Sequence, residues 1–485
     1  MILRPKVCLS ALVLMSLSTG LPWPSPTSTQ AQDASSPNFV VFIADDAAWD
    51  DFGTYGNETI RTPNIDALAE NGLRFDRAYL TCSSCSPSRC SILTSRYPHS
   101  TGAGELHLPL PADQVMVTTP LREAGYHTVA AGKWHLGNDA KSQFDRVLDT
   151  NGGPGNNGRW VEAVTDRPAD QPFFAWLASS DPHRGYQPGA VDPPHDPADV
   201  RVPAIFPDTP AVREDIALYY DEISRFDQYI GKVVETLDRQ GVLDNTVVFV
   251  ISDNGRPFPH CKTRVNVDGV RTPLVVHWPA GLKATGSTQS LVSVIDLVAT
   301  MVDLAGVDRP PTFQGVSIRP ILNDSDATVR RFAFAEHNWH DYRARERAVI
   351  TQDHLMIRND LPELPATPPA DGVRSATYQE MQRLRDEGRL TGPPTDVFMV
   401  PRPRFALYDV AADPHCLDNL YDRPAIESVQ QSLRSALDAF ADLTADHFDG
   451  NAEGLTPDGF DRDTGLRLPA NQRSSGSKRK KPTAK

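Results

Sequence analysis

Cys85-Ser86-Pro87-Ser88-Arg89 runs directly into Cys90-Ser91-Ile92-Leu93-Thr94, a segment that predicts the start of a helix. Pro87 suits the first turn of that helix, where the missing N–H of a proline costs no hydrogen bond. Cys85 then lies just ahead of a helix N-terminus, where free N–H groups and the helix dipole favour an anion. Arg89, one turn further on, adds a fixed positive charge. The pattern predicts that an oxyanion ester binds against residue 85, and a structural thiol ahead of a helix is the alternative.

Four apolar runs predict strands that are buried on both faces, as in a parallel sheet covered by helices. Each run ends in polar or ionisable residues, and open α/β sheets bind ligands at the carboxyl ends of their strands. The carboxyl ends of the four predicted strands are therefore expected to converge on one site. The runs are 38–44 before Asp45-Asp46, 126–131 before Gly132-Lys133-Trp134-His135, 173–178 before Asp181-Pro182-His183, and 246–251 before Asp253-Asn254.

The rest of the chain predicts a large α/β domain with a central, mostly parallel sheet, followed by a small C-terminal α+β domain with an antiparallel sheet. Helical spacing is predicted at 62–72, 213–241, 291–305 and 424–445. Residues 331–337 are interpreted as the last strand of the main sheet, and short strands at 347–350, 354–358 and 405–409 as the small domain. The predicted limits are 33–345 for the large domain, 346–450 for the small one and 451–485 for a disordered basic tail.

Composition restricts the function. The chain of 485 residues has a formal net charge of −14, which argues against a nucleic-acid-binding protein.

Arg4 and Lys6 precede an apolar run at 7–17, and small residues near Ala31 could be cleaved, so residues 1–32 are interpreted as a signal peptide. The run is too short for a permanent membrane anchor. A periplasmic or secreted protein is expected.

Disulfide bonds can form in the periplasm or outside the cell, but the sequence does not determine which cysteines would pair. Removal of the predicted signal peptide, together with conversion of Cys85, leaves four of them: Cys82, Cys90, Cys261 and Cys416.

The residues Asp45, Asp46, Asp253 and Asn254 offer oxygen ligands only. Such a set suits a hard cation, Ca²⁺ or Mg²⁺, rather than Zn²⁺. The alternative is that these residues cap loops and form a turn. Lys133 and His135 are two residues apart, so their side chains share a face of an extended segment.

The run Cys85-Ser86-Pro87-Ser88-Arg89, followed by Ile92-Leu93-Thr94, resembles the motif of the type I sulfatases of the alkaline phosphatase superfamily. The segment 132–137, Gly-Lys-Trp-His-Leu-Gly, is also a motif of that family. Asp181-Pro182-His183-Arg184 and the segments 206–210 and 252–259 resemble the heparan N-sulfatase (sulfamidase) branch. The resemblance implies an alkaline-phosphatase-like fold and a maturation enzyme that oxidises Cys85 to Cα-formylglycine.

The resemblance also implies roles for individual residues. It implies Ca²⁺, or Mg²⁺ as the alternative, bound by Asp45, Asp46, Asp253, Asn254 and residue 85. Sulfate oxygens are expected on Arg89, Lys133 and Lys262, although the sulfamidase branch carries Arg at the last position. His135 is expected to act as a base because its ordinary pKa lies near neutrality. His183 is expected as general acid. His337 and His340 are predicted substrate contacts, with surface or interface packing as the alternative, and a homodimer is compatible with the resemblance.

Three functions remain open from the sequence. The first is a sulfatase for a sulfated sugar, N-sulfated or O-sulfated, with N-sulfoglucosamine preferred. The second is a formylglycine-dependent phosphodiesterase or phosphonate hydrolase. The third is a glycan-binding protein without activity, and the complete set of site residues counts against it. A zinc phosphatase would need histidine ligands.

Overall fold

The computed structural model describes residues 36–149 and 152–469. The predicted signal peptide and the basic run at 474–481 lie outside the described residues, and both stay predictions. The described strands are β1 Asn38–Ala44, β2 Leu73–Phe75, β3 Ala78–Tyr79, β4 His127–Gly132, β5 Arg146–Leu148, β6 Phe173–Ala178, β7 Thr246–Ser252, β8 Leu274–His277, β9 Gly286–Thr288, β10 Val292–Ser293, β11 Ala333–His337, β12 Glu346–Ile350, β13 His354–Asn359 and β14 Phe405–Asp409. The described α-helices are α1 Pro63–Glu70, α2 Cys85–Thr94, α3 Pro98–Thr101, α4 Thr118–Glu123, α5 Trp160–Thr165, α6 Pro210–Arg239, α7 Val267–Val270, α8 Ile295–Leu304, α9 Arg319–Asn323, α10 Ala370–Val373, α11 Ala376–Asp386 and α12 Glu427–Thr444.

Eight strands form one sheet in the order β5-β4-β6-β1-β7-β8-β2-β9. All neighbouring strands from β5 to β7 are parallel. Strand β8 runs antiparallel to both of its neighbours, and β9 is parallel to β2. The sheet is therefore mostly parallel, as predicted, and the carboxyl ends of β4, β6, β1 and β7 lie side by side.

The central strand β1 is buried on both faces. Phe39 and Val41 belong to one hydrophobic core, whereas Val40 and Phe42 belong to the other. Successive side chains of a strand point to opposite faces, so a strand between two layers of helices must be apolar at every position. This is the physical reason for the uninterrupted apolar run at 38–44.

Helices cover both faces of the sheet. Helix α6 packs Ile216 and Ile223 into the core that contains Val40, and α8 packs Leu297 into the opposite core with Ile92 of α2. The helices predicted at 62–72, 213–241, 291–305 and 424–445 are confirmed as α1, α6, α8 and α12. Helix α11 was not predicted, because its exposed face is strongly polar and hides its apolar spacing.

The second sheet contains β11, β12, β13 and β14 in chain order, and all of its neighbours are antiparallel. Leu433 and Leu437 of α12 pack against this sheet. The prediction that residues 331–337 form the last strand of the main sheet is wrong. Strand β11 pairs with β12 instead, with Ala335 opposite Ala348. A short apolar strand does not specify which sheet supplies its partner, and β11 joins the second sheet although it precedes the boundary predicted at residue 345.

The disordered-tail prediction for 451–485 is wrong for its first part, because residues 451–469 are folded against the body of the protein. Trp339 donates its indole N–H to the carbonyl of Pro457 at 2.8 Å. Arg462 pairs with Asp458 at 2.7 Å. Aromatic and charged partners fix the segment despite its polar composition.

The described cysteines are all buried free thiols: Cys82, Cys85, Cys90, Cys261 and Cys416. No described helix is both long enough and apolar enough to cross a membrane.

Gly132 ends β4 and sets the path of the chain into Lys133. Its φ is +93°, and a Cβ at this position would lie 1.9 Å from the carbonyl oxygen of Ala178. We expect Gly132→Ala to lower the free energy of unfolding by about 3 kcal/mol, because backbone must move in addition to the left-handed strain. Urea unfolding followed by circular dichroism measures this.

Gly125→Ala is the matched control. Gly125 has a φ of +87°, but no atom lies within 4 Å of its added Cβ. It should lose only about 1 kcal/mol, the cost of the left-handed conformation. Equal losses in the two variants would contradict a role for the close approach to Ala178.

Candidate active site

Acidic residues from two neighbouring strands meet at the carboxyl end of the sheet. Asp45 and Asp46 follow β1, and Asp253 and Asn254 follow β7, which pairs with β1 in parallel. Cys85 reaches the same point from the first turn of α2. One ligand atom from each of Asp45, Asp46, Cys85 and Asp253 lies within 4.8 Å of the others, and all four residues are buried. The structure therefore brings together the residues predicted to hold a metal.

The charges of this cluster explain why a cation would stabilise it. Burial raises the pKa of Asp253 to about 7; Arg89 opposes the rise, and the charges of Asp45 and Asp46 add to it. Burial also disfavours the ionised form of Asp45, but the Lys133 ammonium, followed by other nearby cations, holds the pKa of that carboxyl below its usual range. Crowded buried carboxylates are costly unless compensated. A divalent cation would supply that compensation.

The donor atoms fit such an ion. Asp45 Oδ1 and Asn254 Oδ1 are buried, and neither accepts a hydrogen bond from the described residues, although buried acceptors are normally paired. Asn254 directs its amide nitrogen towards Asp46 Oδ1 at 2.7 Å. A half turn of this amide exchanges its nitrogen and oxygen, so Oδ1 can face the same point. Carboxylate and amide oxygens without a histidine suit Ca²⁺ or Mg²⁺.

Cys85 is the first residue of α2, and Ser84 is the N-cap residue. Its Sγ lies 3.2 Å from Asn254 Nδ2 and 3.9 Å from Asp46 Oδ1. Burial raises the pKa of the Cys85 thiol more than the nearby Lys133 and Lys262 lower it. Because the thiolate is the nucleophilic form of cysteine, the unmodified side chain is poorly suited to attack.

Three cations surround residue 85: Arg89 and Lys262 are buried, and Lys133 is partly exposed. Arg89 donates from Nε to Asp253 Oδ2 at 2.7 Å, and its side chain is fully buried. Lys133 pairs with Asp45. Lys262 donates to Asp46 Oδ2 at 2.6 Å. Each cation is held by a carboxylate of the acidic cluster, so the three predicted anion-binding side chains point at one place.

His135 lies two residues after Lys133, in a left-handed conformation with a φ of +56°. Burial, followed by the charges of Lys133 and Arg89, lowers its pKa to about 3, well below the near-neutral value expected from the sequence. The ring is therefore neutral near pH 7 and can accept a proton. Its Nε2 lies 2.8 Å from Nδ1 of His107. His107 was not identified from the sequence, because it lies in a loop that carries no motif.

His183 lies on the side of the cluster towards β6. Its Nδ1 is 2.9 Å from the carbonyl oxygen of Arg184, and its Nε2 lies 3.9 Å from Asp46 Oδ2 and 3.7 Å from Asp371 Oδ2. Asp371 was also missed from the sequence, because it lies in the short helix α10 and no motif marks it. The fixed Nδ1 leaves Nε2 as the nitrogen that can exchange a proton near the reaction centre.

A cleft of about 520 Å³ opens beside these residues, and its lining includes Asp45, Lys133, His183, Glu222 and Arg225. Its size suits a small organic ligand. Because His183 lines this cleft, a leaving group that takes a proton from His183 would extend into it.

His337 and His340 both contact other side chains of the protein. His340 is buried, and its Nδ1 lies 2.7 Å from Ser84 Oγ at the N-cap of α2. His337 Nδ1 lies 3.5 Å from Glu346 Oε2. Both rings are held by protein partners, and their contact with substrate stays a prediction.

Comparison with known proteins agrees with this geometry. The sulfatase family model matches residues 37–307. A second model, the C-terminal region of N-sulphoglucosamine sulphohydrolase, matches residues 261–361. Human N-sulphoglucosamine sulphohydrolase is 31% identical over 446 residues, which cover 82% of this chain and 89% of the human protein. An ulvan-active sulfatase of Formosa agariphila is 26% identical over 479 residues, 90% of each chain.

Solved structures share the fold. The structure of BT4656 in complex with D-glucosamine-2-N,6-O-disulfate has a TM-score of 0.66 at 19% identity, covering 86% of this chain and all of the other. The phosphonate monoester hydrolase of Agrobacterium radiobacter has a TM-score of 0.63 at 16% identity, covering 84% and 96%. These likenesses define the alkaline-phosphatase-like architecture.

The match to the sulfatase family and to its named members shows a hydrolase of sulfuric esters or sulfamates. The chain belongs to the sulfatase family, and human N-sulphoglucosamine sulphohydrolase is among its relatives.

Proposed function

We propose that this protein removes sulfate from a sulfated sugar through a formylglycine hydrate at residue 85, and that its substrate is an N-sulfated glucosamine. The observation that carries the mechanism is the position of Cys85 at the N-terminus of α2, enclosed by Arg89, Lys133 and Lys262. A converted side chain at this point would face an anion-binding site made of three cations.

The first step is attack on sulfur. One hydroxyl of the hydrate gives its proton to water, its oxygen forms a bond to sulfur, and the bond from sulfur to the sugar nitrogen or oxygen breaks. Arg89, Lys133 and Lys262 hold the sulfate oxygens, where preorganised charge contributes most to the rate. His183 gives a proton to the departing atom.

The second step releases sulfate. His135 accepts the proton of the second hydroxyl, the carbon–oxygen bond to the bound sulfate breaks, and the aldehyde forms again. Water then restores the hydrate. Serine would lack the second hydroxyl and would remain sulfated.

The metal site belongs to the same proposal. Asp45, Asp46, Asp253 and Asn254 would hold Ca²⁺, with Mg²⁺ as the alternative, and the bound ion would supply Lewis-acid polarisation and positive charge near residue 85. The residues of the chain perform the proton transfers described above.

The relatives favour different sugars. The 31% identity to human N-sulphoglucosamine sulphohydrolase and the match to its C-terminal model support a sulfamate substrate. The ulvan-active sulfatases, at 26% and 27% identity, favour an O-sulfatase for another glycan as the second candidate. A phosphodiester or phosphonate substrate has only fold similarity behind it.

Sulfate release from a panel of substrates tests this choice. The panel contains N-sulfoglucosamine, 6-O-sulfated N-acetylglucosamine, a sulfated galactose oligomer, an aryl sulfate and a phosphodiester, and the protein comes from a host with a formylglycine-generating maturation enzyme. We expect kcat/KM for N-sulfoglucosamine to exceed that for either O-sulfated sugar by at least about 100-fold, the discrimination expected of a site built for one polar group.

Faster release from an O-sulfated sugar would keep the mechanism and overturn the substrate assignment. Hydrolysis of the phosphodiester alone would overturn both. Protein without the maturation enzyme is the control and should release no sulfate.

The proposal also includes export of the protein, a maturation enzyme that generates formylglycine as its partner, and a homodimer. The predicted signal peptide supports a periplasmic or secreted protein.

A further inference from the structure

A second histidine stands behind the proposed base. His107 Nδ1 and His135 Nε2 are 2.8 Å apart, and their ring centroids are 4.9 Å apart with the planes tilted by 44°. His135 is largely enclosed, whereas His107 is exposed. The pair therefore connects the interior of the site with solvent.

The loop that carries His107 is tied to the catalytic motifs. The backbone N–H of His107 donates to Ser86 Oγ at 2.8 Å, so the residue after Cys85 fixes the loop. The N–H of Leu110 donates to the carbonyl of Leu136 at 3.0 Å, next to His135. His107 adopts a left-handed φ of +66°. Such a conformation in a non-glycine residue persists only where neighbours enforce it.

The hydrogen bonds of His135 set the direction in which the two histidines can transfer a proton. Its Nδ1 is buried and has no hydrogen-bond partner among the described residues, which leaves this nitrogen for a reacting group. If Nδ1 accepts a proton, Nε2 carries a hydrogen that points at His107 Nδ1. His107 Nε2–H is then the next donor, on the exposed side.

The surrounding charges oppose storage of a proton on His135. Burial, Lys133 and Arg89 lower its pKa to about 3, whereas Asp45 raises it. Burial also lowers the pKa of His107, Asp341 raises it and Lys133 lowers it. An imidazolium at position 135 is therefore unfavourable and needs a rapid exit for the proton.

We propose that His107 relays to solvent the proton that His135 takes during sulfate release. His135 Nδ1 gains a proton from the second hydroxyl as the carbon–oxygen bond to sulfate breaks. His135 Nε2 passes its own proton to His107 Nδ1, and His107 Nε2–H releases one to water. This inference rests on the proposed formylglycine mechanism, in which it assigns a positioning and relay residue to the second step.

The test separates the two steps with an aryl sulfate, whose good leaving group makes release of the bound sulfate limiting. In His107→Ala we expect the initial burst of phenol to keep its amplitude and rate, while the steady-state kcat falls by about 10- to 100-fold. Added imidazole should restore part of kcat. His107→Gln can fill the space and bond to His135 but cannot exchange protons readily, so its kcat should stay low and should not respond to imidazole.

His447→Ala is the control. The His447 side chain is 64% exposed, and His447 is not among the residues described for the candidate active site. The kinetics of this variant should be unchanged. A normal kcat in His107→Gln would reduce His107 to a spacer and overturn the relay. Loss of the burst in His107→Ala would place the residue in the first step instead and would also overturn it. Absence of a burst in the wild-type enzyme, with no sulfate on residue 85 after quenching, would refute the formylglycine mechanism itself.

Discussion

Cys85→Ala should lower kcat/KM for sulfate release by about 10⁴-fold or more. In the proposed mechanism residue 85 carries the oxygen that attacks sulfur, and loss of a nucleophile removes the whole covalent route. Arg89, Lys133 and Lys262 remain in the variant, so substrate should still bind. Isothermal titration with the substrate, beside the rate measurement, checks that binding survives.

Cys90→Ala provides the matched control. Cys90 lies on the same helix, is also fully buried and is also a free thiol. It should keep its activity and lose about 1 kcal/mol of stability through the deleted sulfur atom. Activity of Cys85→Ala at a tenth of wild type would refute a nucleophilic role for residue 85.

Removal of the metal should have the second-largest effect. We expect chelation to reduce kcat/KM by at least about 100-fold, because the ion is expected to contribute several kcal/mol to the transition state. It should also destabilise the fold, since Asp45, Asp46 and Asp253 are buried together. An ion present at about 100 times its Kd contributes about 2.7 kcal/mol of stability. The free energy of unfolding in urea, measured with and without chelator, gives this second readout.

Asp253→Asn serves as the control for chelation. It removes one charged ligand and leaves a side chain of the same shape, so the chelator should destabilise it much less than the wild type. Addition of Ca²⁺ or Mg²⁺ after chelation should restore both activity and stability in the wild type. Unchanged stability and activity in excess chelator would contradict a metal in the acidic cluster.

The sequence predicted the strands that are covered by apolar side chains on both faces. Strand β1 is covered on both faces, so its apolar run states its environment directly, and the same holds for β6 and β7. The polar residues after these strands could be placed at one site because parallel neighbours bring their carboxyl ends together. Asp45 and Asp253 are far apart in the chain and adjacent in the structure for this reason.

Other features depend on contacts that no local pattern records. Strand β11 has the same apolar character as a main-sheet strand, and only its hydrogen bonds to β12 decide its sheet. His107 lies in an irregular loop and Asp371 in the four-residue helix α10. Their significance comes from His135 and His183, which are distant in sequence. The segment 451–469 looks like a polar tail until Trp339 and its other partners are in place.

The mass of the peptide that contains residue 85 tests the central claim most directly, in enzyme quenched during turnover of an aryl sulfate. The account predicts an aldehyde in place of the thiol in the resting enzyme and a sulfate adduct on the same residue in the quenched sample. An intact thiol at residue 85 in fully active enzyme would contradict it.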